Sequence, residues 1–216
     1  MNMQAIDQPV SEDMQTLSMD EIGILLQKLN TSGPREHKLS PEASVITLCE
    51  IPSPLGVMLA GTTARGICLL EFNDPARIQT QLKRLATRFN ARFEIGDHHH
   101  LTALKQQLKT YFECKLTGFT LPLDIPASEF QQQVWQALQK IPYGETRSYQ
   151  QQAQLIDRPD AVRAVAKANG DNPVCIITPC HRVIGKNGRL TGYAGGLWRK
   201  QKLLELEKAM PQDELF

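Results

Sequence analysis

The sequence predicts an α+β protein of two subdomains: a small amino-terminal α/β unit, then a mainly helical carboxy-terminal domain carrying a helix-turn-helix. Three observations predict it. Short apolar runs broken by Pro and Gly fill residues 44–72, the pattern of strands. Two helical periodicities follow, up to a proline-marked change of character at Pro122 and Pro126. From Ser128 onward apolar residues recur at helical spacing behind capping signals. With 216 residues, 41% of them hydrophobic, the chain has apolar mass for one ordinary domain or two small ones. The expected division is 1–41 as an accessory segment, 42–123 as the α/β subdomain and 124–211 as the helical domain.

Residues 1–41 are polar and punctuated by Pro9, Pro34 and Pro41. One helix is expected there. Ser18 and Glu21 form a capping-box pattern, Ile22, Leu25, Leu26 and Leu29 share a face, and Asn30 through Pro34 stop it. This piece is expected to dock on the body or on a partner. Val45–Ile51, Gly56–Ala60 and Gly66–Phe72 read as strands, and Pro75–Asn90 and Leu101–Phe112 as helices. His98, His99 and His100 lie between those helices. Three consecutive imidazoles do not readily face one ion, so a solvated loop and no metal site are expected.

In the second half, Ser128 with Gln131 caps a helix whose stripe is Phe130, Val134, Leu138 and Ile141. Pro142 through Glu145 make a turn, and Ser148 with Gln151 caps a short helix over Tyr149–Leu155. Asp157-Arg158-Pro159 then turns the chain into a helix over about Pro159–Asn169, ended by Gly170. Two short helices joined by a tight turn fit a helix-turn-helix, or an ordinary antiparallel helix pair. Around Arg163 the second helix is slim: Ala161, Val162, Ala164, Val165, Ala166 and Ala168. A slim helix with one long cation can approach a nucleic-acid groove closely. Residues 124–211 also hold 12 basic against 8 acidic side chains, a modest excess in the same direction.

Val174–Thr178 reads as a short strand that delivers Pro179-Cys180-His181-Arg182-Val183. A thiolate is the nucleophilic form of cysteine, and adjacent cationic or basic groups favour it. Cys49, Cys68, Cys114 and Cys175 lack such company and read as buried structural thiols. Five cysteines without a Cys-x-x-Cys pair disfavour disulfides and structural zinc. No cofactor, membrane span or secretory signal is indicated, so a reducing cytoplasm is the expected setting. Gly185, Gly188, Gly192, Gly195 and Gly196 make a loop around Tyr193, before a last helix near Leu197–Lys208. Leu197, Leu203 and Leu204 form its inner stripe, and Glu207 shares that face. An inward carboxylate needs a partner, and His181 is the best candidate.

Taken together, Phe130-Gln131-Gln132-Gln133-Val134-Trp135, Ile141-Pro142-Tyr143-Gly144-Glu145, Arg163-Ala164-Val165-Ala166 and Pro179 through Val183 resemble the O6-alkylguanine-DNA alkyltransferases. The tail from Gly192-Tyr193 through Gly195-Gly196-Leu197 to Glu207 continues the match, so the resemblance spans about 125–208. Residues 44–123 look like the family's amino-terminal, ribonuclease-H-like subdomain, and 1–41 fall outside it.

The resemblance implies direct-reversal repair of alkylated double-stranded DNA by a monomer. Cys180 would take a methyl or larger alkyl group from O6 of guanine, and from O4 of thymine, once only. His181 would draw the thiol proton through a water, Glu207 would orient the imidazole, and Asn172 would link recognition helix to active-site segment. Tyr149 would donate to the departing purine. Val183, Tyr193, Ala194, Gly195 and Trp135 would line the pocket. The base must leave the stack, with Arg163 filling the gap from the minor groove. Ala164 and Gln150 would lie at the DNA, and Arg158, Lys167, Lys186 and Arg189 would meet phosphates. The chain departs from common family patterns at Thr178, Cys175 and Ala194, where relatives carry an aliphatic residue, proline and serine. Neither the phosphotriester-repair module nor the regulatory domain of larger relatives is evident. The alternatives are an alkyltransferase-like lesion-binding protein, which replaces the nucleophile, a helix-turn-helix regulator, or a cysteine hydrolase.

Overall fold

Strand β1 (Ser44–Ile51) pairs on both edges, and the first unit is organised around it. The computed structural model describes residues 16–31 and 44–209. β1 lies antiparallel to β2 (Met58–Thr63), which lies antiparallel to β3 (Gly66–Phe72), and parallel to β4 (Ala91–Ile95), giving the order β3-β2-β1-β4. Thr47 opposes Thr62 and Ile51 opposes Met58. β2 runs later than the expected Gly56–Ala60 because the connection to β3 needs only Ala64 and Arg65. The pairing of β2 with β3 shifts register between Gly61 and Thr62.

Helix α2 (Pro75–Phe89) starts where expected: Asp74 accepts the Arg77 amide, and Pro75 stands in the first turn. Asn90 ends it in left-handed conformation, with φ 45°. The chain then enters β4, an element the helical pattern had hidden. Five residues alternating apolar and charged are too short to stand out, and only the parallel pairing with β1 defines them. At the far edge Gly66 is needed for space, because a Cβ there would sit 2.5 Å from the Pro122 carbonyl oxygen. That close approach carries the Ile67 N–H bond to Pro122 O at 2.9 Å.

The histidine triplet corrects the loop expectation. His99 and His100 form the first turn of α3 (His99–Phe112), and His98 precedes it. Their rings pack with centroids 4.0–4.8 Å apart. His98 Nδ1 accepts the His100 amide at 3.2 Å, while His100 is half-buried with Nδ1 3.2 Å from Thr62 Oγ1. Burial, then the neighbouring imidazoles, pushes His98 below its ordinary pKa. The triplet therefore closes a helix start, where the positive end of the backbone disfavours cations.

Helix α1 (Met19–Thr31) forms with its capping box in place: Glu21 Oε2 accepts the Ser18 amide at 2.8 Å, and Ser18 Oγ accepts the Glu21 amide at 3.2 Å. Ile22 and Leu26 are buried in one cluster with Ile46, Leu48, Leu59, Leu69, Ile78, Leu82 and Phe93. Asn30 pairs both ways with the Phe93 backbone, at 3.0 and 3.1 Å. So α1 docks on the body of the first unit, as expected, and completes its core. The stop signals at Ser32 through Pro34 lie outside the described residues.

Two compact units divide the chain. Of the described residues, one takes those up to Lys109 together with Thr120–Pro126; the other takes Thr110–Phe119 and those from Ala127 on. The end of α3 thus clusters with the helical half, a placement no local pattern announces. Among the described residues no helix is long and apolar enough to cross a membrane.

The second unit holds α4 (Glu129–Gln139), α5 (Tyr149–Leu155), α6 (Val162–Gly170) and α7 (Leu197–Leu206), with a two-stranded parallel pair, β5 (Arg147–Ser148) and β6 (Val183–Ile184). The Ser128 and Ser148 capping boxes are both formed. α6 starts at Val162 rather than Pro159, because Asp157 takes φ 56° and Pro159-Asp160 stay in the turn. Leu197 is 47% exposed, so the inner face of α7 begins at Arg199 and Lys200 instead.

Candidate active site

Helices α5 and α6 are locked together by a buried amide pair. Gln152 Nε2 donates to Asn169 Oδ1 at 3.1 Å, and Asn169 Nδ2 returns a bond to Gln152 Oε1 at 2.6 Å. Val165 and Ala168 pack inward, leaving Arg163, Ala164 and Lys167 exposed on one face. Lys167 Nζ pairs with Asp171 at 3.0 Å, and Arg158, Lys186 and Arg189 are exposed while Gln150 is half-buried. Trp135 is buried on α4. Its indole N–H donates to the Ala168 carbonyl at 2.9 Å and ties α4 to the end of α6.

The segment leading to Cys180 is not the expected strand. Thr178 N–H reaches back to Val174 O at 3.1 Å, Ile177 N–H to Cys175 O at 2.8 Å, and Ile176 takes φ 69°. A β-branched residue in that region costs on the order of 1–3 kcal/mol. A five-residue apolar run reads alike as buried strand or buried turn, which is why the sequence misled. Asn172 organises the turn: Oδ1 accepts the Val174 amide at 3.0 Å, and Nδ2 donates to Thr178 O at 2.8 Å and to Cys180 Sγ at 3.3 Å. Cys175 is buried, as is the Thr178 hydroxyl, which has no hydrogen-bond partner among the described residues.

Cys180–Arg182 then form a single 3-10 turn, with Cys180 8% exposed and His181 fully buried. His181 Nε2 lies 2.9 Å from Glu207 Oε1. Glu207 also accepts from Arg182, Nε to Oε2 at 2.8 Å and Nη2 to Oε1 at 2.9 Å, and from the Tyr111 hydroxyl to Oε1 at 2.6 Å. Burial alone would raise the Glu207 carboxyl, but the bonds and charges of His181 and Arg182 outweigh it and hold the group at about 2. Glu207 is therefore an anion with Arg182 as its counter-charge. Burial pushes His181 below its ordinary value, against the pull of Glu207, so the imidazole is neutral. A neutral ring facing an acceptor-only carboxylate carries its proton on Nε2. Nδ1 then holds the free lone pair, and it has no partner among the described residues. That is a base poised beside a thiol.

Lys200, unremarked in the sequence, is fully buried on α7. Its ammonium donates to Val183 O at 2.5 Å, Thr191 O at 2.8 Å and Gly192 O at 3.4 Å. Burial lowers it to about 8, with Cys180 acting in the opposite direction. The Tyr149 hydroxyl donates to the Thr191 and Gly192 carbonyls at 3.2 and 3.4 Å. Val183 and the loop before Gly195 are thus drawn to one cation, with Tyr193 half-buried, Ala194 exposed and Gly195 buried.

Missed by sequence reasoning were Lys200, Tyr111 and the ionic role of Arg182. Lys200 sits three residues before Leu203 and seven before Glu207, so the inward stripe did point to it. Arg182 stood in the motif itself. Tyr111 is 96 residues from Glu207 and carried no local signal.

Comparison with known proteins agrees with this geometry. The family model described as "6-O-methylguanine DNA methyltransferase, DNA binding domain" matches residues 129–209, and its "ribonuclease-like domain" counterpart matches 49–125. A methylated-DNA–protein-cysteine methyltransferase of Methanosarcina barkeri is 43% identical over 159 residues, 73% of this chain and 94% of that protein. One from Mycolicibacterium paratuberculosis is 60% identical over 103 residues, covering 48% of this chain and 62% of that protein's length. The crystal structure of Mycobacterium tuberculosis OGT in complex with DNA aligns with a TM-score of 0.64 at 41% identity, over 76% of this chain and 93% of that one. The chain belongs to the 6-O-methylguanine DNA methyltransferase family.

Proposed function

We propose that this chain repairs alkylated DNA by moving a methyl or larger alkyl group from O6 of guanine onto Cys180, in a single irreversible event. The observation that carries the reading is the run Asn172–Cys180–His181–Glu207, in one unit with a helix pair that exposes Arg163. The names of the Methanosarcina and mycobacterial relatives support it, and the DNA-bound mycobacterial structure supports duplex DNA as partner.

The chemistry is an in-line displacement. Cys180 Sγ forms the new S–C bond while the C–O6 bond breaks and its electron pair stays on O6. The thiol proton passes to His181 Nδ1 through a bridging water, the departing guanine anion takes a proton at N1 from solvent, and the imidazolium returns one to solvent, so the reaction balances. Imidazolium formed at His181 is stabilised by the Glu207 anion, whose charge is already in place. The Asn172 amide steadies Sγ. The Val183 and Thr191–Gly195 backbone reads the edge of the flipped base, and the Tyr149 hydroxyl turns from the Thr191 and Gly192 carbonyls to donate to the purine. Extruding a base from duplex DNA leaves a gap in the stack, and Arg163 is the long side chain that fills it. Arg158, Lys167, Lys186 and Arg189 meet phosphates, which makes binding salt-dependent and largely sequence-independent.

Incubation with duplex DNA holding O6-methylguanine should add one methyl mass to the Cys180 peptide and stop at one equivalent. No adduct on folded protein overturns the transfer and leaves a lesion-binding or regulatory protein. Continuing turnover points to a hydrolase. A parallel reaction with O4-methylthymine sets the substrate range.

A further inference from the structure

Tyr111 stands in the last turn of α3, outside the 129–209 stretch that matches the DNA-binding-domain family model. It is nevertheless fully buried against the catalytic carboxylate. Its hydroxyl makes the shortest of the four bonds to Glu207, and shares Oε1 with His181 Nε2 and Arg182 Nη2. We propose that Tyr111 is a positioning residue for the alkyl transfer, a neutral donor that sets how strongly Glu207 holds the Nε2 proton of His181. This rests on the function proposed above.

The argument is one of competition at a single oxygen. Arg182 grips both carboxylate oxygens and supplies the charge. Tyr111 supplies none: burial, then the Glu207 charge, pushes its phenol well above the ordinary value, so it stays an O–H donor. Each donor on Oε1 draws off electron density and weakens the pull on the others. With Tyr111 in place, Glu207 holds the imidazole in register without making it too basic. Without that donor, Glu207 pulls harder on the Nε2 proton, the imidazolium is favoured, and His181 stays protonated to higher pH. The other charged or titratable groups facing this cluster are Arg182 and Cys180 on the 3-10 segment, Lys200 on α7, Tyr143 on the turn after α4, and Cys114 beyond Tyr143. None of them changes when only the phenol oxygen is removed. The ring itself packs against Phe112, Phe119 and Tyr143 at centroid distances of 5.3, 5.4 and 6.1 Å, contacts that phenylalanine keeps.

The test uses the full chain. Single-turnover transfer from methylguanine duplex is measured across pH for wild type, Tyr111→Phe, and protein carrying 3-fluorotyrosine at position 111. The His181 imidazole is titrated in parallel by nitrogen-15 NMR. For Tyr111→Phe the imidazole titration and the acid limb of the rate profile move upward together, slowing transfer on that limb about three- to tenfold, while the plateau changes less. Fluorotyrosine, a stronger donor of nearly the same shape, moves both downward, and it keeps the test open if Tyr111→Phe is too unstable to assay. If both titrations stay fixed while only the plateau or the melting temperature changes, Tyr111 is mere packing and the proposal is overturned. A wild type that transfers with unmoved titrations in the variants sinks Tyr111 alone; a wild type that never methylates Cys180 sinks the proposed function and this role with it.

Discussion

Replacing Glu207 by glutamine keeps the shape of the side chain and removes its charge. The Oε1 site receives three donors and the Oε2 site one, so the amide oxygen takes the Oε1 position. The amide nitrogen is then left against Arg182 Nε, where an oxygen stood 2.8 Å away. A buried guanidinium loses its counter-charge, a change worth roughly 3–5 kcal/mol. The carboxyl itself supplies an independent figure: holding it at about 2 rather than 4.5 is worth about 3 kcal/mol. Because the folded value is the lower one, this stability is fully present above 4.5 and is lost as pH falls through 2. Urea unfolding should therefore show wild type about 3 kcal/mol more stable than Glu207→Gln at neutral pH, with the gap closing towards the acid end. Methyl transfer should also slow about 10²-fold or more, since a general base without support for its protonated form loses much of its effect. A gap below about 1 kcal/mol at neutral pH, or one that does not shrink in acid, would refute the picture of Glu207 as a buried anion.

Three further outcomes follow from the geometry. Arg163→Ala should slow transfer from duplex DNA by at least about tenfold and leave reaction with free benzylguanine nearly unchanged; equal losses would discredit its place in the base stack. Lys200, held at about 8, should lose its proton as pH rises, loosening the carbonyls of Val183, Thr191 and Gly192, so that transfer declines above that pH. Since its folded value lies below 10.5, the cost of burying the charge is carried below about 8 and fades between there and 10.5. Wild type should gain stability over Lys200→Met across that window, and a parallel pair of unfolding curves would contradict it. Trp135→Phe should cost about 1 kcal/mol through the bond to Ala168 without changing single-turnover transfer, whereas a specific rate loss would place Trp135 in the pocket.

Local chemistry announced some of this molecule and hid the rest. The capping boxes at Ser18, Ser128 and Ser148 were readable because side chain and backbone three residues apart complete them. Glu207 was readable because Leu203 and Leu204 share its face, and the same reasoning applied one turn earlier reaches Lys200. β4 was not, since its five residues gain definition only from pairing with β1. Nor was the turn at Ile176, whose left-handed backbone is imposed by Asn172 and by the packing around it. Tyr111 was least readable of all: its partner lies 96 residues further along the chain, and only folding introduces them.

The amide pair between Gln152 and Asn169 has an experimental consequence of its own. The contacts that hold α5, α6 and α4 in register there, including Gln152 to Val134 O and Trp135 to Ala168 O, involve no formal charge. Added salt screens exposed charges and leaves such bonds almost untouched. Ionic strength can then be turned as a dial on DNA affinity while the frame that displays Arg163 stays as it is. The slope of affinity against salt would count phosphate contacts directly, rather than a mixture of contacts broken and scaffold disturbed.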